Sequence, residues 1–224
     1  IQSLLLASLR FCQVPGLRLD ISHARIVRVL LDRAPTLSQN TDAVYRALQG
    51  KDTAALRELT AQCDDETGAA LLALLDLYGG VEVIERARSV LPNHPDITQA
   101  LDELAVLASL DTSGVLQFDL ADLAGYQYHT GVMFAAYCAG APNAMARGGR
   151  YDHIGERFGR ARPATGFSID LREITELLPN LPATQAISAP WAMDADLRAA
   201  IETLRASGEI VIEALAGQAH QEED

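Results

Sequence analysis

The stretch YQYHTGVMFAAY, Tyr126 to Tyr137, is followed by GGRYD at Gly148 to Asp152 and PATGFSIDL at Pro163 to Leu171. Val132, Phe134 and Ala136 alternate with Met133, Ala135 and Tyr137, the period of a strand with two unlike faces. The AGAPN run at Ala139 to Asn143 has turn chemistry, so antiparallel hairpins are expected. The last stretch reads as a strand passing into a helix with Leu171, Ile174, Leu177 and Leu178 on one face. Gly148 and Gly149 remove Cβ atoms where a backbone turns tightly or a ligand comes close, and they are read as the turn of a pocket. Tyr126, Tyr128, His129, Arg150, Tyr151 and Asp152 fall near the strand ends. Each piece alone suits scaffold as well as site; together they mark a candidate pocket.

Upstream, Leu4, Leu5, Leu6, Leu9 and Phe11 suit a helix that Pro15-Gly16 ends. Leu17, Leu19 and Ile21 then alternate with Arg18 and Asp20 as a strand, and Ser22 is expected to cap a helix through Val27, Leu30 and Leu31. The chain opens at Ile1 directly in a helical pattern, without Met, cap or loop, so a missing N-terminal portion is expected. Residues 35–110 consist of helix formers punctuated by Pro35, Gly50, Gly68, Gly79-Gly80 and Pro92 to Pro95, an all-helical insertion. Strands return from Gly114, beginning with Leu116, Phe118 and Leu120. Residues 186–215 read as strand, helix from Ala195 to Ala206, a stop at Gly208, and a strand from Ile210 to Leu215; residues 217–224 read as a frayed tail. The domain reading is therefore a core of residues 1–34 and 111–180, an insertion at 35–110 and a partial α/β piece at 181–224.

With 224 residues and 49% apolar content the chain can bury a core in one domain with a small appendage. No apolar run approaches the roughly 20 residues of a bilayer-spanning helix, so a membrane partner is not expected. The balance of 18 basic and 30 acidic residues, net −12, opposes a nucleic-acid partner. Much of that charge lies at 35–110, where twelve acidic residues face five basic ones; the excess suits a solvated helix face or a partner surface. Between Arg147 and Arg172 the sign reverses, with six arginines (147, 150, 157, 160, 162, 172) against Asp152, Glu156 and Asp170. That segment suits an anionic ligand or acidic partner, or else intrachain forks. Lys51 is the only lysine. Cys12, Cys63 and Cys138 make no CxxC spacing, so neither a disulfide framework nor a zinc site is indicated and a reducing cytoplasm fits. No dinucleotide fingerprint, P-loop, HExxH or GxSxG is present, and the five histidines lack ligand spacing, so no metal and no cofactor are called for.

The three stretches together resemble the catalytic core of histidyl-tRNA synthetases. The likeness runs from Ile1 to about Leu178 and is strongest from Gly125 to Leu171. It implies an α+β fold of the class II aminoacyl-tRNA synthetase kind, an antiparallel sheet flanked by helices, with the helical insertion where that family carries one. Two departures bear on function. On this alignment the family's catalytic arginine falls at Ala124, its tyrosine pair at Tyr128 and His129, and its third-motif arginine at Glu173. Amino-acid activation is mostly the placement of positive charge against a reacting phosphoryl group, which Ala124 cannot supply and Glu173 opposes. Arg172 is adjacent, but neighbouring helical side chains point about 100° apart.

A chain with the pocket pattern but without these arginines looks like the regulatory-subunit family of ATP phosphoribosyltransferase, a non-catalytic synthetase paralogue. The YHTG run at Tyr128 to Gly131 and the FAAY after it carry that likeness. It implies a role in the first step of histidine biosynthesis, a short-form catalytic subunit as partner, self-association, and histidine as ligand and feedback signal. Tyr126, Tyr128, His129, Arg150 and Tyr151 are the expected histidine contacts. A histidyl-tRNA synthetase fragment or divergent synthetase, and a scaffold subunit that binds no small molecule, are the alternatives.

Overall fold

The structure, a computed structural model, describes residues 1–178, 185–191 and 193–216, with the backbone alone at residues 157 and 158. It divides into two units, residues 1–178 and residues 179–224. In the first, six strands form one sheet in the order β2 (Tyr78–Gly79), β3 (Leu116–Asp119), β1 (Arg18–His23), β4 (Val132–Tyr137), β5 (Ala146–Tyr151) and β6 (Ala164–Ile169). β1 and β3 run parallel; every other neighbouring pair is antiparallel. A parallel pair needs a long crossover, and the helices between β1 and β3 supply it.

Residues paired across strands share a face. One face carries the rows Leu19, Leu116, Ala136, Ala146, Ile169 and Ile21, Phe118, Phe134, Gly148, Phe167. These belong to one apolar core with Leu5, Leu6 and Leu9 of α1 (Gln2–Phe11) and Ile97, Leu101 and Leu104 of α7 (Pro95–Leu110). The other face carries Ser22, Met133, Gly149, Gly166 in one row and Asp20, Ala135, Arg147, Ser168 in the next, with Arg18 opposite Tyr137 beyond. This polar face bears the candidate site.

The crossover comprises α2 (Ala24–Asp32), α3 (Thr41–Gln49), α4 (Thr53–Thr60), α5 (Asp65–Ala73), α6 (Glu82–Val90) and α7. Asp52 and Asp64 cap α4 and α5 by accepting from the amides of Ala55 and Thr67. Leu48, Leu56, Leu71, Leu74 and Val83 join the same core as the sheet residues, so the helices are packed into it rather than hung beside it. Within the described residues the segment is helical save for short turns and Tyr78–Gly79, which pair with Asp119 and Phe118 at the sheet edge. Lys51 lies 2.8 Å from Asp119 and over the Tyr78 ring, tying the helices to that edge.

Three local expectations are corrected. The cap of α2 is His23, whose extended backbone lets Nδ1 accept from the Arg25 amide at 3.2 Å; the Ser22 hydroxyl donates instead to the Asp122 carbonyl at 2.7 Å. In α8 (Leu171–Leu177), Ile174 is buried while Leu171 is 68% exposed, because Asp170 caps the helix and its first turn faces solvent. Gly148 and Gly149 lie within β5, not in a turn.

The second unit is a strand–helix–strand piece: β7 (Ile187–Ala189), α9 (Ala195–Ala206) and β8 (Val211–Glu213), the strands parallel. Ala189, Ile201 and Val211 form its small core, and Gly208, at φ +93°, lets the chain leave the helix. The tail at 217–224 lies outside the described residues.

Candidate functional site

The polar face of the sheet mixes small residues, Ser22, Ala135, Gly149, Gly166 and Ser168, with Asp20, Met133 and Arg147. A Cβ at Gly166 would meet nothing within 4 Å, so the space above it is open. At Gly149 the space is taken: a Cβ there would strike the His129 ring and the Val132 carbonyl. Gly148, on the opposite face, is bare for another reason, since the Phe134 ring and the Gly166 carbonyl crowd it. The glycine pair is thus needed in the sheet, one residue for each face.

His129 is 5% exposed. Its Nδ1 donates to the Gly125 carbonyl at 2.7 Å, and its Nε2 is buried against the backbone of Gly148 and Gly149. Burial holds its pKa below the ordinary histidine value, with nearby Arg28 acting in the same direction, so the ring is neutral at neutral pH. The Tyr151 ring lies 4.6 Å away, tilted by 34°, and burial pushes the Tyr151 phenol up. Arg28, from α2, fixes the loop beneath by donating to the carbonyls of Tyr126 and His129.

In the adjoining row a polar cluster forms around Asp122. Tyr137 donates its hydroxyl to Asp122 Oδ2 at 2.8 Å. Arg147 reaches Asp122 Oδ1 at 3.4 Å and the Tyr137 oxygen at 3.2 Å. The Ala124 amide also donates to Asp122 Oδ1, at 3.4 Å, and Ser22 holds the Asp122 carbonyl. Burial, and then the Asp122 charge, push Tyr137 up to about 12, so the phenol stays protonated and donating. Asp20, beside this cluster, is clasped by Arg18 at 2.8 Å; burial nonetheless raises its pKa. The face thus carries paired carboxylates and guanidinium groups at one end and the Tyr151 phenol ring, beside the buried His129 imidazole, at the other.

The structure therefore gathers His129, Tyr151 and Gly149 and separates the rest of the expected contacts. Tyr126 stacks on Tyr45 of α3, the rings 14° apart, and its hydroxyl donates to Asp42 at 3.2 Å. Tyr128 is 60% exposed. Arg150 belongs to the other side of β5, where its Nε donates to Asp152 at 2.6 Å on the rim of a groove of about 840 Å³ between α1, α7 and the sheet. Asp152 is held below the usual carboxylate range by Arg150, with Thr130 also donating to it. Ser22, Asp122, Tyr137 and Arg147 were not among the expected contacts. Period-two alternation in β1 and β4 carried the signal for Ser22 and Tyr137, because whatever opposes Leu19, Ile21 and Phe134 must share the second face; Asp122 follows β3 in a loop and Arg147 lies in β5, outside that signal.

At the two positions where the resemblance places arginines, Ala124 lies beside the Asp122 cluster, and Glu173 accepts from the Asn143 amide at 3.0 Å. The Arg147 guanidinium near Ala124 is set against Asp122, which offsets its charge. No group of three or more metal-ligating side chains occurs among the described residues, and no helix there is long and apolar enough to cross a membrane.

A family model described as histidyl-tRNA synthetase matches residues 1–174, and one described as the ATP phosphoribosyltransferase subunit HisZ C-terminal domain matches residues 184–224. The ATP phosphoribosyltransferase regulatory subunit of Cupriavidus metallidurans is 56% identical over 99% of this chain and 58% of its own length. That of Janthinobacterium sp. is 50% identical over 100% of this chain and again 58% of its own length. The chain thus spans about 58% of the length of these curated relatives. A crystal structure described as an ATP phosphoribosyltransferase regulatory subunit/histidyl-tRNA synthetase from Bacillus halodurans C superposes with a TM-score of 0.72 at 28% identity, covering 98% of this chain and 60% of that one. By fold and by sequence the chain belongs to the histidyl-tRNA synthetase family, and within it is similar to ATP phosphoribosyltransferase regulatory subunits.

Proposed function

We propose that this chain is part of a non-catalytic regulatory subunit of ATP phosphoribosyltransferase that binds histidine on the polar face of its sheet and passes that signal to a short-form catalytic subunit. The observation that carries the reading is the charge at the two positions where the resemblance places arginines: a methyl group at Ala124, and at Glu173 a carboxylate held by Asn143. A site that activates an amino acid needs cations against the triphosphate, and this one presents carboxylates, with Arg147 already offset by Asp122. The names of the relatives supply the ATP phosphoribosyltransferase; the short-form catalytic subunit and the first step of histidine biosynthesis are what the resemblance implies. Self-association and a cytoplasmic location belong to the same proposal; Cys12, Cys63 and Cys138 are free thiols, as a reducing compartment requires.

Histidine shifts the partner's activity only if it binds two states of the assembly unequally. The test is the phosphoribosyl transfer rate of the catalytic subunit with the full-length protein, measured with and without saturating histidine. A rate that needs the protein and falls with histidine supports the proposal. A rate that needs the protein but ignores histidine leaves assembly as its role and removes the sensing.

A further inference from the structure

We infer that Arg147, set by Tyr137 and Asp122, is the carboxylate receptor of the polar-face site. This deepens the histidine-sensing reading and rests on it. Arg147 projects from the sheet row next to that of Gly149, so it shares a face with the His129 and Tyr151 rings. Along a strand, alternate residues lie about 6.6 Å apart, and in an amino acid with an aromatic side chain the carboxylate and ring centre lie about 5 Å apart. A ligand whose ring lies by His129 can therefore bring its carboxylate to the Arg147 row.

The guanidinium has capacity to spare. Its contacts to Asp122 and Tyr137 are long, at 3.4 and 3.2 Å, and one nitrogen serves each; the other N–H groups have no partner among the described residues. Its side chain is 40% exposed, against 20% for Asp122, so the outer edge of the fork opens to the site. Asp122 also accepts from the Ala124 amide, which brings the receptor to the backbone of the residue where the resemblance expects an arginine. Tyr137 and Asp122 act as positioning residues. They fix the plane of the fork, and Asp122 lowers its net charge, which suits a singly charged carboxylate better than a triphosphate.

The ligand class that follows is an α-amino acid with a free carboxylate and a flat polar ring. The test is calorimetric titration of the full-length protein with L-histidine and with histamine, which keeps the ring and amine but lacks the carboxylate. The wild type is expected to bind histidine about 10- to 100-fold more tightly than histamine, the range for a charge-assisted hydrogen bond. Arg147→Gln is expected to lose that margin while histamine affinity stays within about threefold, and Tyr137→Phe to lose part of it. Equal binding of histidine and histamine by the wild type overturns the inference without any variant, and so does an Arg147→Gln protein that folds and keeps wild-type histidine affinity. If the wild type binds neither compound, the sensing reading falls first and this inference with it.

Discussion

The His129 imidazole lies across Gly149, in the volume a Cβ of that residue would occupy. Two elements 20 residues apart in the chain thus fix each other: the loop before β4 supplies the ring, and the middle of β5 supplies the gap.

Gly149→Ala is expected to expel the ring. The new methyl would also meet the Val132 carbonyl, so the strand cannot yield freely. A loss of about 1–3 kcal/mol in urea unfolding is expected, with histidine binding weakened further than stability. Unchanged stability would mean that the ring does not sit there.

His23 should make the protein acid-sensitive. The side chain is buried, and burial lowers its pKa against the opposing pull of Glu103, 3.1 Å from Nε2. A histidine whose folded pKa lies below its unfolded value of about 6.5 contributes stability that is complete above that value and is lost as pH falls through the folded pKa. His129 acts with the same sign. Unfolding free energy should therefore fall between pH 7.5 and 5.5. His23→Asn, which can still cap α2, should reduce that fall without abolishing it; an identical pH profile would contradict this assignment.

The helices of residues 35–110 and the sheet share one core, so they should unfold together. Leu71→Ala in α5 and Ile21→Ala in β1 remove side chains that are fully buried in the same cluster. Each is expected to cost about 2–5 kcal/mol, and far-ultraviolet circular dichroism should show the unit at 1–178 melting in a single, earlier transition in both. A separate early transition in the Leu71 variant alone would show that the helices form a unit of their own.

Lys51 should contribute little, despite being the sole lysine. Its pair with Asp119 is partly exposed, and such pairs contribute about 0–1 kcal/mol. Lys51→Met, which keeps the aliphatic reach over Tyr78, is expected to shift the urea midpoint slightly, and less at high salt. A large loss would mark the sheet edge as a weak point of the fold.

Much of this architecture is legible in period and punctuation. Alternation at Leu17 to Ile21 and Val132 to Tyr137 marks strands, and Pro15-Gly16 and Gly208 mark the ends of helices. What failed to show depends on partners distant in sequence. Gly148-Gly149 resembles a turn until Phe134 and His129 are known to lie over it. Tyr126 looks like a pocket residue beside Tyr128 and His129 until Tyr45, 81 residues earlier, is found stacked on it. Arg150 and Arg147 look alike along the chain, yet strand parity sends them to opposite faces. Helix capping failed similarly, since Ser22 is drawn away by a carbonyl 100 residues on.

The measurement closest to the central claim is histidine-dependent exchange of pyrophosphate into ATP by the full-length protein. With a methyl group at Ala124 and an acid at Glu173, exchange at the background rate is expected even when histidine and magnesium–ATP are saturating. Sustained exchange that needs histidine would contradict the account, because it would mean that the site places enough positive charge to activate an amino acid.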